Sequence, residues 1–357
     1  MGKYKKYLIS GLIVSLICAL VFGILYLIIH INVSSLESQN TADRWRTDEI
    51  RYSQMSAFIS ENAGFDLQTA QYTENSIIER LSTDSYVSDD KKRIAITNSV
   101  SKTKMSFSTS FDSSEAEVFY TDSDHFIFHP HSFVYGWHYT GDEIMKNYIV
   151  LNEELAFRIF GGTDVAGMIV NVDGTECTVV GVTSGPLSSA ERKEWNEKQP
   201  IAYVMQGFKE EYDNSLPIIS FEVLLPNPVK DYASAIFKEA VRIDEDKVEI
   251  VENTGRGKYL KLVKEFFSSD RSMMRNNTVY YPHWENAARK VYNDVKPLVL
   301  ISLVFGIIPI IYLLSIIVVF FINKEKIFKT LTHSAGNKLK TFKNHFKKRS
   351  KKDEENY

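Results

Sequence analysis

The chain is predicted to be an α+β protein, a membrane-anchored extracytoplasmic α+β domain between two transmembrane helices. Three observations predict it. Two stretches are free of Asp, Glu, Lys and Arg: Tyr7 to Ile31 and Pro297 to Ile322. Each exceeds the ~20 apolar residues that span a bilayer. Basic residues gather outside these stretches, at the two ends of the chain. Between them, patterns of period two alternate with patterns of period three to four, the order strand–strand–helix–strand that marks an α+β layer structure.

Taken in order, residues 1–6 form a cytoplasmic N-terminus carrying Lys3, Lys5 and Lys6. Residues 7–31 form the first transmembrane helix. A basic start followed by an apolar run also describes a signal peptide. This run is longer than the ~7–15 residues of a signal core and no small-x-small site follows it, so an uncleaved anchor is expected. Residues 323–357 hold eleven Lys and Arg against four acidic residues, whereas the segment between the spans holds 28 basic and 41 acidic ones. Because positive flanks stay in the cytoplasm, both termini are placed inside and residues 32–296 outside. The overall formal charge of −3 hides that division. The two cysteines, Cys18 and Cys177, are placed apart, so the outer domain has to be held by its own core. Cys177 reads as a small buried strand residue.

Within the outer segment, residues 32–62 read as a helical continuation of the first span, with Ile50, Met55 and Phe58 on its apolar side. Ile77, Ile78 and Leu81 mark a second helix over 66–82. Residues 83–124 read as strands and long loops, with KMSFSTSF and EVFY as β-type runs. The next stretch, DHFIFHPHSFVYGWHY, carries His125, His129, His131 and His138. Clustered imidazoles suit a divalent cation. The competing reading is an aromatic strand and turn around Pro130, favoured because the glutamate of a zinc-binding HExxH helix is missing. No metal site is predicted.

Residues 148–182 read YIVLNEELAFRIFGGTDVAGMIVNVDGTECTVVGV. They predict a strand, a short helix with Leu155, Ala156, Ile159 and Phe160 inward, a stop at Gly161-Gly162, and a hairpin turning at Asp173-Gly174. Residues 186–200 read as a polar loop. Strands follow at 201–205 and 218–225, then a helix capped by Asn227 with Pro228 in its first turn and Val229, Ala233, Ile236, Phe237 and Ala240 inward. A strand at 247–253 and a helix through Leu260, Val263 and Phe267 complete the domain. Tyr280, Tyr281 and Trp284 just precede the second span, where amphipathic rings suit the bilayer interface.

Catalytic signatures are missing. TGRGKY (254–259) has Glu252 where a phosphate-binding loop needs its first glycine and Tyr259 where it needs Ser or Thr. No G-x-S-x-G elbow occurs, and a membrane-anchored hydrolase lacks a nucleophile–base pair. The chain is therefore read as no enzyme, with no catalytic residue and no cofactor. Asn276 begins a formal glycosylation triplet of no expected consequence.

The strand, NEELAFRIFGG and aspartate-glycine hairpin of 148–182 resemble the periplasmic core domain of MacB-type ABC transporter permeases. FHPHSFVYGW, FEVLLPNPV and YPHWENAAR are similar to stretches of MacB-like permeases of Gram-positive bacteria. In FtsX- and MacB-like permeases a short cytoplasmic coupling helix follows the second span. Glu325, Ile327, Leu331, Ala335 and Gly336 are similar to it in type and spacing, on a short basic helix interrupted by Gly336. The resemblance implies that these residues meet a separate ATP-binding subunit. It also implies a plasma-membrane permease subunit doing export or mechanical work outside the cell, as a homodimer or beside a fuller permease. Gly11 and Gly23 would allow close approach in a dimer. The wider family has four transmembrane helices per subunit and this chain has two, which leaves open a short branch of the family or a retained sensing or scaffolding role. The alternative is an ATP-independent receptor or scaffold using the outer domain. Membrane lipid is the other expected partner, favoured by the polybasic run FKKRSKK; nucleic acid is not expected.

Overall fold

A computed structural model describes residues 2–46, 50–86, 93–141, 145–267 and 278–354. It divides into two units, Leu27–Val299 and the pair Met1–Tyr26 with Leu300–Tyr357. In chain order the helices are α1 (Gly2–Ser34), α2 (Thr41–Trp45), α3 (Leu67–Thr83), α4 (His125–Phe128), α5 (Glu153–Phe160), α6 (Ser189–Glu194), α7 (Glu210–Ser215), α8 (Tyr232–Ala240), α9 (Tyr259–Phe267) and α10 (His283–Glu354). The strands are β1 (Tyr52–Ile59), β2 (Ile96–Ser108), β3 (Ser113–Thr121), β4 (His131–Gly136), β5 (Tyr148–Asn152), β6 (Ile169–Val172), β7 (Thr175–Pro186), β8 (Ile201–Met205), β9 (Ile218–Pro226) and β10 (Val248–Glu252). They form one mixed sheet in the order β10-β1-β9-β2-β3-β8-β5-β7-β4, with β6 pairing β2 and β7 off that path. β3 with β8 and β5 with β7 run parallel.

One face of the sheet is apolar along its length. At the β1/β9 end, Met55, Ala57, Phe221 and Val223 pack under Ala70, Ile77 and Leu81 of α3 and Ala233, Ile236 and Phe237 of α8. Burying each of the larger side chains contributes roughly 1.5–3 kcal/mol. At the other end, Val118, Tyr120, Ile149, Leu151 and Val204 pack under Leu155, Ala156 and Ile159 of α5. That helix begins where the Asn152 side chain accepts from Leu155 N at 2.9 Å, and stops at Gly161 with φ 77°. The β6–β7 turn places Asp173 and Gly174 at φ 47° and 84°, the doubly left-handed pair a two-residue hairpin needs. The central motif therefore folds as its sequence predicts. Cys177 is fully buried in β7, and burial pushes its thiol up to about 12. A water-soluble maleimide at pH 8 is expected to leave Cys177 unlabelled in the folded chain and to label it in denaturant, as read by intact-mass spectrometry. Native labelling would contradict this packing.

Several expectations are corrected. Residues 52–59 are a strand inside the sheet, between β10 and β9, not a helical continuation of α1: all eight are buried, and the Ser and Gln that disguised the strand bond within the protein. The helix after Pro228 begins only at Tyr232, preceded by Asp231 at φ 64°. Val229 is exposed, and Asn227 reaches Ala233 N at 3.3 Å from outside the helix. On α9, Leu262 is the buried residue while Leu260 and Phe267 are exposed. Residues 189–194 form α6 inside the segment read as a polar loop.

Two helical stretches, Lys6–Ser34 and His283–Ile322, are long and apolar enough to cross a membrane, and the second unit holds their parts up to Tyr26 and from Leu300. Most of their apolar side chains between Tyr7 and Ile28, and between Leu300 and Ile322, are exposed. A Cβ on Gly11 would meet the Tyr312 ring at 2.6 Å, and the Tyr312 hydroxyl donates to Leu8 O at 2.7 Å. The close approach at Gly11 is thus to the chain's own second span. Gly23 has nothing within 4 Å of its Cβ position. Beyond residue 322 α10 continues through Gly336 as helix to Glu354, so the glycine does not interrupt it. The side chains of Glu325, Ile327, Leu331, Ala335 and Gly336 lie outside the described residues.

Candidate functional site: a buried polar base

The other face of the β1–β9–β2 region is polar, and register explains why. Ser56 of β1 lies opposite Glu222 of β9, and Glu222 lies opposite Asn98 of β2. Directly opposed residues share a face, so three polar side chains make a row across the sheet. Each is buried, and a buried carboxylate survives only when its oxygens are met. Ser56 Oγ donates to Glu222 at 2.6 Å and Asn98 Nδ2 at 3.1 Å. His129 Nε2 is hydrogen-bonded to the same carboxylate.

His129 stands one helical turn after His125, their ring centroids 4.9 Å apart. The histidine stretch therefore begins with a helical turn, and only its second half, from His131, is strand. His131 Nδ1 lies 3.1 Å from Thr183 Oγ1. That hydroxyl gives its own proton to Ser132 O at 2.8 Å, so the imidazole acts as donor there and not as a base. His283 and Trp284, the first residues of α10, close the cluster. Trp284 stacks on His129 with centroids 3.9 Å apart and is fully buried. Trp284 and Tyr281 are thus core residues of the α+β unit and not interfacial anchors. Burial holds His125 and His283 well below the usual imidazole range and brings His131 down to about 3, with the neighbouring imidazoles adding to each shift. His125 Nε2, His129 Nδ1, His283 Nδ1 and Trp284 Nε1 have no hydrogen-bond partner among the described residues. Among the described residues, no three His, Cys, Asp or Glu are placed to hold a metal. His138 stays at the margin, its Nδ1 donating to Tyr139 O at 2.7 Å.

One helical turn along α10 lies an ion cluster. Arg256 grips Glu285 with two bonds of 2.9 and 3.1 Å. Arg289 Nε meets Glu285 at 2.6 Å, and Arg289 also pairs with Glu249 of β10. The guanidinium groups lie over rings, Arg256 on Tyr292 at 4.9 Å and Arg289 on Tyr281 at 4.1 Å. Glycines give TGRGKY its purpose here. Gly255 takes φ 68°, and a Cβ on Gly257 would meet Val33 Cγ1 at 1.9 Å. The loop can therefore press against the end of α1 while it aims Arg256 at α10.

The end of α1 enters the same base. Ile29 and Leu36 pack with Leu262 of α9 and with Ala288, Tyr292, Val295 and Val299 of α10. Just beyond α1, Ser38 donates through N and Oγ to Glu191 at 3.0 and 2.8 Å. Burial raises the Glu191 carboxyl despite those two bonds. Gln54 of β1 then bridges Ser38 O at 2.7 Å and Thr41 N at 3.2 Å. Both apolar helices are rooted, by their turns within Leu27–Val299, in one buried polar base under the sheet.

The sequence brought forward His125, His129 and His131, and the structure does gather them. It missed His283, Glu222, Arg256, Glu285 and Arg289. Of these, only the isolated polar residue inside FEVLL hinted at a buried group.

Fold and base together define an α+β domain carried on two apolar helices. No protein-family model matches the sequence, and no curated protein matches it. Among solved structures, the chain is similar to the periplasmic region of MacB from Actinobacillus actinomycetemcomitans, at 14% identity over 60% of this chain and 94% of that one, with a TM-score of 0.41. It is also similar to the extracellular domain of the noncanonic ABC-type transporter YknZ from Gram-positive bacteria, at 13% identity over 56% and 99%, TM-score 0.39. A permease-protein domain from Porphyromonas gingivalis follows at 12% identity over 56% and 88%, TM-score 0.31.

Proposed function

We propose that the chain is the permease-type subunit of a MacB-like ABC system, coupling a separate cytoplasmic ATPase to the extracytoplasmic domain. The observation that carries this reading is the shared base. The outer turns of both apolar helices are buried in one cluster and tied to the sheet through Arg256, Glu285, Arg289 and Glu249. A helix so rooted cannot shift without moving the sheet, because packed interiors respond in discrete steps and not by continuous deformation. In this reading residues 7–31 and 297–322 span the membrane of a Gram-positive cell, residues 1–6 and 323–357 are cytoplasmic, and residues 32–296 are outside. Glu325, Ile327, Leu331, Ala335 and Gly336 form the contact with the ATPase.

The test is purification of the tagged chain from native membranes in mild detergent, with mass spectrometry of what co-elutes. A near-stoichiometric ATPase is expected, and it should be lost when Leu331 and Gly336 are both replaced by aspartate. A folded outer domain that brings down no ATPase would overturn the reading in favour of an ATP-independent receptor or scaffold.

A further inference from the structure

The buried imidazoles carry an inference that does not depend on any ATPase. His125, His129, His131 and His283 occupy one continuous volume between the sheet and the start of α10. His125 lies 4.9 Å from His129, His131 lies 6.5 Å from His283, and Trp284 touches His125, His129 and His283 at 5.8, 3.9 and 4.9 Å between ring centroids. All four histidines are buried. The charged groups facing them are unevenly matched. From β9 comes Glu222, already bonded to His129, Ser56 and Asn98. From α6 come Glu191, held by Ser38, and Arg192, which opposes charge on His131. Lys102 of β2 opposes charge on His283, and His138 opposes charge on both His125 and His131. On α10 itself, Glu285 is taken by Arg256 and Arg289. A first proton has Glu222 nearby. A second or third meets like charge and burial, at a cost that falls on the contact between α10 and the sheet.

We propose that this cluster is an acid-sensitive latch. With the rings of His125, His131 and His283 uncharged at neutral pH, it holds the first turns of α10 on the sheet, and uptake of two or more protons as the surrounding medium acidifies loosens that contact. The sign follows from linkage. His125, His131 and His283 bind protons less readily when buried than when released, so the hold is complete above the free imidazole value of about 6.5. It weakens as pH falls below that value, towards the lowered value of the buried rings, which is about 3 for His131. Each such ring multiplies the opening constant by up to ~10 for every pH unit in that window. Neutral rings with unpartnered nitrogens suit this role, since they lock the helix by packing and stacking and leave sites free for the incoming protons.

The test is hydrogen exchange by mass spectrometry on the purified full-length chain in nanodiscs between pH 7.5 and 5.0, corrected for intrinsic exchange rates. Peptides covering 125–131 and 283–292 are expected to lose at least ~100-fold in protection between pH 7 and 5, while those of α8 change little. His125→Phe with His283→Gln should flatten the profile by removing two of the titrating rings. His131→Gln, which keeps a hydrogen-bond donor towards Thr183, should flatten it less. Protection that is constant with pH in the unmodified chain, or that falls equally in α8, would overturn the latch without need of any variant. A variant profile as steep as that of the unmodified chain would also overturn it. None of these results depends on whether an ATPase binds.

Discussion

Replacing Glu285 by alanine is expected to destabilise the outer domain by about 3–5 kcal/mol, the loss typical of removing one partner from a buried ion pair. Glu285 is fully buried and its carboxylate faces two guanidinium groups that are themselves almost wholly buried. Without it, the two bonds from Arg256 and the bond from Arg289 to this carboxylate are lost. At roughly 2–4 °C per kcal/mol for domains of 150–250 residues, thermal unfolding followed by intrinsic fluorescence should fall by about 10 °C. Two comparisons isolate the cause. Lys290→Ala breaks an exposed pair with Glu194 and should cost no more than ~1 kcal/mol. Replacing Arg256, Glu285 and Arg289 together by Met, Leu and Met should recover much of the loss, because the penalty lies in unpaired buried charge and not in missing attraction. A melting point for Glu285→Ala within 2 °C of the parent would mean that the cluster is hydrated, and that the base does not root α10 as described.

The sequence displayed some elements plainly and concealed others, and the difference is physical. The hairpin at Asp173-Gly174, the stop at Gly161 and the inward face of α5 were legible because they depend on local torsions and a one-sided environment. β1 was concealed because its polar residues are not on a solvent face. Ser53, Gln54 and Ser56 bond within the protein, to Glu252, Ser38 and Glu222, so apolar-in, polar-out alternation does not apply. The histidine cluster was half legible. Its three nearby members stand close in sequence, but the buried Glu222 joins them through strand pairing across the sheet and His283 through the packing of α10. Arg256 drew notice for the wrong reason, as part of a failed phosphate-loop match. Its glycines serve close approach to Val33 and a left-handed turn, a requirement that composition shares with many other loops. The two long apolar helices were legible because twenty and more consecutive apolar residues have few alternatives. Residues 1, 47–49, 87–92, 142–144, 268–277 and 355–357, among them Asn276 and Asn277 of the formal glycosylation triplet, lie outside the described residues.

Trp284 offers the second large effect and separates two meanings of an aromatic residue beside a membrane span. As an interfacial anchor it would sit at the headgroup level, and tyrosine would replace it well. In the structure it is fully buried, stacked on His129 and within 6.3 Å of Phe119, ring centre to ring centre. Trp284→Ala is therefore expected to cost about 3–5 kcal/mol, the range for truncating a large aromatic in a packed core. Trp284→Tyr should cost about 1–3 kcal/mol, since it places a hydroxyl among neutral imidazoles and phenyl rings. Trp137, which is 60% exposed, is the matched control, and its alanine variant should stay within ~0.5 kcal/mol of the parent. Denaturant unfolding of the three variants in one detergent reads all of these together. If Trp284→Tyr proved as stable as the parent and Trp284→Ala lost less than Trp137→Ala, the residue would be an anchor. The start of α10 would then be held by lipid instead of by the sheet, and the proposed coupling through the buried base would fall with it.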